Sequence, residues 1–162
     1  MIQWSVRIAL VLYAAALFSW LLGGRRWERA IRGLWSAGLL FYLAHAFAAF
    51  HFVHGWSHAR AAVETAGQTK ELFGVASGLG LWLNYLFTIA WTADALWWWI
   101  DEIGYRLRPR WVRVSVHAFL AFMFFNGAVV FGEGFSRWFG LLSTPPLLVV
   151  WLRSRAAVPR VE

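Results

Sequence analysis

The sequence predicts an all-α fold, a polytopic bundle of membrane-spanning helices, on three observations. Hydrophobic residues make up 60% of 162 positions and charged residues 14%, against soluble norms of roughly 45–50% and roughly 25%. Apolar stretches approaching or exceeding the roughly 20 residues that cross a bilayer recur along the whole chain. The arginines cluster in short segments between those stretches, as topology determinants do.

Five spans follow in order, at about 4–22, 34–55, 75–100, 112–132 and 138–152, in a single domain covering 1–162. The first carries Arg7 before its apolar core and is followed by Gly23-Gly24-Arg25-Arg26. That is no small-residue cleavage site, so the span is read as retained. The second ends in a histidine-rich run and the third in Trp97-Trp98-Trp99. The fourth begins among four arginines, Arg106, Arg108, Arg110 and Arg113. The fifth is short and contains Pro145-Pro146, which remove backbone donors and favour a kink. Between spans two and three, residues 56–74 mix both charge signs and suit a short interfacial helix.

Charge orients the bundle. Arg25, Arg26, Arg29 and Arg32 lie between spans one and two, Arg106, Arg108, Arg110 and Arg113 between three and four, and Arg153, Arg155 and Arg160 after five. The other side holds only Arg7, Arg60, Lys70 and Arg137. Eleven against four puts the N-terminus outside and the C-terminus in the cytoplasm, which an odd number of spans requires. A bacterial cytoplasmic (inner) membrane is the expected location, with lipids as direct partners. The net charge of +7 is thereby spread over separate loops, which excludes a nucleic-acid surface. Much of the tryptophan, 13 residues in all, falls near span ends, as an interfacial belt does.

The absence of cysteine excludes disulfides and thiolate ligation, leaving imidazole and carboxylate as metal ligands. They concentrate in one place. His51, His54 and His58 follow one another at i, i+3 and i+7, on one face if the helix is regular. With Glu133 at similar depth they form a candidate zinc, copper or iron site on the extracytoplasmic side. His54-x-x-x-His58 resembles one fragment of the histidine boxes of membrane di-iron desaturases and hydroxylases. Those centres need more than the five histidines present, and a di-iron centre within this chain is excluded. Haem is the weaker cofactor reading, with His45 and His117 as axial candidates; their depths differ by about six residues, roughly 9 Å at helical rise.

Asp94 lies well inside span three, where an ionised carboxylate needs a partner. His45, at similar depth on span two, is the expected one, with Asn84 completing a buried polar relay and His117 as a further partner. Asp101 and Glu102 are expected to meet cytoplasmic arginines. Gly74-x-x-x-Gly78 at the start of span three is a weak helix-packing motif, in keeping with a homo-oligomer or a larger membrane complex.

Three functions follow. The first is a metal- or redox-cofactor-binding subunit of a membrane complex in electron transport. The second is a non-catalytic membrane subunit or assembly factor, its histidines structural. The third is a proton or cation path through Asp94 and His45. No nucleophile motif or phosphate-binding glycine loop supports hydrolysis.

Overall fold

The structure, a computed structural model, describes residues 2–156; Arg160 lies outside them. The described residues fold as an all-α bundle. Helix α1 spans Ile2–Gly23, and a 3-10 turn at Gly24–Trp27 leads into α2, Glu28–Ala48. Helix α2 continues through a π-helical turn, Ala49–Val53. Helix α3 covers His58–Phe73, α4 Leu79–Ile100 and the short α5 Glu102–Leu107. Helix α6, Arg110–Phe125, also runs on into a π turn, Asn126–Val130, and α7 spans Phe135–Ala156.

Three stretches are long and apolar enough to cross a membrane: Gln3–Gly23, Glu28–Val53 and Arg110–Val130. Helices α4 and α7 have 22 residues each, about 33 Å at 1.5 Å per residue. Their mean hydropathy is lowered by Asn84, Asp94 and five tryptophans in α4 and by Ser, Thr and Pro in α7. The prolines do not end α7.

Aromatic rings fill the core between α1, α2, α4 and α6. Tyr13 stacks on Phe124 at 4.7 Å and meets Trp35 at 5.3 Å and the edge of Trp91 at 5.5 Å. Gly38 lets α2 approach α4 there, since a Cβ would sit 3.2 Å from the Trp91 ring. The outward surface stays apolar, with Leu22, Leu40, Phe47, Ile89, Ile100 and Leu142 all exposed. A buried polar centre beneath an apolar exterior is the reverse of a soluble domain.

One expected interfacial helix is present as α3. Ser57 caps its start by accepting from the Arg60 N–H at 3.2 Å, and Gly74 ends it at φ 75°, a left-handed conformation that suits glycine. That placement corrects the expected packing motif: Gly74 and Gly78 lie in the turn before α4 and not on a helix face. The close approach falls instead at Gly80, where a Cβ would collide with Thr65 of α3.

Candidate functional site

The regions around residues 28–32 and 101–113 converge at one end of the bundle. Asp101 ends α4 and caps α5, accepting from the Gly104 N–H at 2.8 Å. This cap turns the chain sharply, so α5 folds back beneath the bundle. Pro109, at the start of α6, then redirects the chain inward.

The turn delivers Arg108 to Asp94. Arg108 Nη1 donates to Asp94 Oδ1 at 2.9 Å, with side-chain exposures of 4% and 3%. Tyr105 Oη donates to Asp94 Oδ2 at 3.0 Å. The guanidinium lies 3.6 Å from the Tyr105 ring centroid; the ring also stacks nearly parallel on Trp98 at 4.8 Å and meets the edge of Trp97 at 6.1 Å. Arg108 Nη2 also lies 3.0 Å from His117 Nε2 on α6. Asp94 of α4 is thus tied to α5 and, through Arg108, to α6. Arginine only donates, so His117 Nε2 accepts and its proton sits on Nδ1.

A second ionic chain surrounds this end. Arg106 forms a two-pronged pair with Glu28, at 2.8 and 2.7 Å, and also pairs with Glu102. Glu102 in turn accepts from Arg32 at 3.1 Å. Arg32 covers the Trp99 ring at 4.2 Å, and Trp99 Nε1 donates to Ser36 at 2.9 Å. The expected pairing of Glu102 with arginines is present, while Asp101 serves as a helix cap.

Inside this chain lies a cavity of about 230 Å³. Ala16, Leu17 and Trp20 of α1 and Ile31 and Trp35 of α2 form its apolar wall. Arg106, Arg108, Arg113, His117 and Glu28 supply its polar groups. His117 is sandwiched by Trp20 at 5.7 Å and Trp35 at 5.6 Å.

The histidine cluster does not assemble as expected. The chain leaves helical geometry at Gly55 and Trp56, with φ of 57° and 59°, so His51, His54 and His58 do not share one regular helix. Each has its own partner. His51 Nδ1 accepts from Trp56 Nε1 at 3.1 Å, and His58 Nδ1 lies 3.0 Å from the Tyr85 hydroxyl. His54 Nδ1 sits 3.2 Å from Glu64 Oε2, near enough for an ion pair when protonated but unaligned as a hydrogen bond. Glu133 is exposed in the turn before α7. Among the described residues no group of three or more His, Asp or Glu is arranged to hold a metal.

The buried relay has members that the sequence did not suggest. Asp94 is buried as expected, but both its oxygens are engaged by Arg108 and Tyr105. His45 is half-buried on α2. Asn84 is exposed, and its carbonyl accepts from Tyr42 and Thr88 at 3.4 and 2.8 Å. His117 does join the network, through Arg108. The residues that sequence reasoning missed are Arg108 and Tyr105, and the signal for them was the capping aspartate and the proline that bracket α5. No protein-family model, curated protein or solved structure matches the chain.

Proposed function

We propose that this chain is a five-span integral membrane protein of the bacterial cytoplasmic membrane, serving as a non-catalytic subunit or assembly factor of a larger complex. One observation carries the reading: the deepest polar groups, Asp94 and Arg108, are consumed by each other beneath an apolar exterior. A carboxylate paired at 2.9 Å with a guanidinium is a fixed structural charge, unlike the exchangeable acid a proton path needs. The separated histidines favour this reading over a metal-binding one. In the five-span arrangement α4 and α7 cross beside the three most apolar stretches. Glu28–Arg106–Glu102–Arg32 then lies at the cytoplasmic face, and α3 rests on the opposite surface.

The lack of cysteine makes the test direct. Gln68→Cys on α3 and Arg110→Cys at the start of α6 are both at exposed positions. A membrane-impermeant maleimide applied to intact spheroplasts should label the first and reach the second only after permeabilisation. Labelling of both from one side overturns the topology. Protein extracted in native lipid should carry no stoichiometric metal or chromophore and should elute in a particle larger than one chain. A stoichiometric metal or a Soret band overturns the subunit reading.

A further inference from the structure

The cavity at the arginine-rich end has an unusual electrostatic composition. Four polar atoms of its lining residues are buried without a hydrogen-bond partner in the protein: Trp35 Nε1, Trp98 Nε1, Arg108 Nε and His117 Nδ1. The first three are N–H donors by chemistry. The fourth is a donor because Arg108 faces the other nitrogen of the ring. Buried polar groups are rarely left unpaired, and here every unpaired one is of the same kind.

Charge points the same way. Arg106 is matched by Glu28 and Glu102, and Arg108 by Asp94. Arg113, half-buried on the same wall, has no carboxylate partner among the described residues. The cavity thus offers Arg113, whose guanidinium has no carboxylate partner among the described residues, beside the apolar surface of Ala16, Leu17 and Trp20; the four buried donors lie behind its wall and are not themselves exposed to it.

We infer that this cavity binds an oxyanion, a phosphate or phosphate monoester or diester, with Arg113 as its principal counter-charge. The guanidinium groups lining the cavity only donate, and a phosphate presents several acceptor oxygens with no obligatory donor. The apolar wall accommodates a chain attached to the phosphate, so the source is either a free anion or the headgroup of an anionic lipid. The inference depends on the membrane reading only for the second source.

The test uses the full-length protein in a phosphate-free non-ionic detergent, followed by its intrinsic tryptophan fluorescence, to which Trp20, Trp35 and Trp98 at the cavity contribute. Two titrants are compared, inorganic phosphate and phosphatidylglycerol in mixed micelles, with phosphate-free diacylglycerol as the reference lipid. Arg113→Gln removes the free charge without breaking an ion pair, and Arg113→Lys restores it. Arg110→Gln makes the same charge change at an exposed position outside the cavity.

Saturable binding of at least one anionic titrant is expected, weakened about tenfold in Arg113→Gln as for loss of one charge-assisted contact. Arg113→Lys should recover part of it, and Arg110→Gln should match the native protein. Binding of phosphate itself identifies a free anion, and binding of phosphatidylglycerol alone identifies a headgroup. Either supports the site. Equal affinity for diacylglycerol with no response to phosphate overturns it. So does an equal loss in Arg113→Gln and Arg110→Gln, which is the mark of diffuse surface attraction. Size-exclusion elution like that of the native protein establishes that Arg113→Gln is folded. These results are independent of span number, which the cysteine labelling reads.

Discussion

Arg108 reaches back fourteen residues to Asp94, with its Nη1 2.9 Å from Oδ1 and its guanidinium flat against Tyr105. One side chain therefore neutralises the deepest acid of α4, holds α5 in place and contacts α6 through His117. Three helices depend on a single cation.

Removing one member of that pair leaves the other buried and uncompensated, which typically costs about 3–5 kcal/mol. Asp94→Leu and Arg108→Met are each expected to destabilise the folded protein by about that amount. The double variant should recover much of the loss, because an apolar pair has no unmet charge. Unfolding of the four proteins in one detergent, followed by circular dichroism, gives the coupling. Additive losses would remove Asp94–Arg108 from its central place.

Tyr105 supplies a pH dependence. Burial raises its hydroxyl pKa, and the Asp94 charge raises it further against the opposing Arg108. Above the ordinary phenol value of about 10, the unfolded chain releases a proton that the folded chain retains. Stability from this group is complete below pH 10 and declines as pH rises toward the elevated folded pKa. Tyr105→Phe keeps the ring and loses the hydroxyl, so its stability should fall less steeply across that alkaline window. Parallel slopes for the two proteins would contradict the assignment.

Gly38 sets the distance between α2 and α4. A Cβ would lie 3.2 Å from the Trp91 ring, and larger side chains would push the helices apart. Gly38→Leu is expected to cost about 1–3 kcal/mol, the usual range for overpacking. Gly33, where a Cβ meets nothing within 4 Å, should accept alanine without loss. Melting temperatures of the two variants make the comparison.

The three histidines flanking the break at Gly55-Trp56 are predicted to be separable. Since His51, His54 and His58 have different neighbours, His54→Ala and His58→Ala should have independent effects on stability. The loss for His58→Ala should be about 1 kcal/mol, typical of one hydrogen bond, and that for His54→Ala about 0–1 kcal/mol, the range of a partly exposed ion pair. A joint loss of one metal equivalent, read by elemental analysis, would reinstate the shared site.

Much of the helical layout was legible because apolar runs and arginine clusters report span boundaries directly. Asp94 stood out for the same reason, as a charge among apolar residues. Its partner was hidden because depth was compared between different spans, whereas Arg108 returns along its own chain through the fold of α5. Assigned to a loop as a topology signal, Arg108 turned out to be buried. The histidine spacing misled because i, i+3 and i+7 share a face only on an unbroken helix, and Gly55-Trp56 interrupts it. Gly74-x-x-x-Gly78 misled likewise, since a helix-packing motif and a glycine helix stop share the same letters.

The short path from Asp94 to Arg108 bears on how such a chain is made. If α4 crosses the membrane as proposed, its acidic residue faces the highest cost on entering lipid before its partner exists. Here the counter-ion is translated only fourteen residues later, within the same helical hairpin and ahead of α6. The hairpin can therefore close and neutralise itself as a local unit, and the later helices dock onto a segment whose charge has already been hidden.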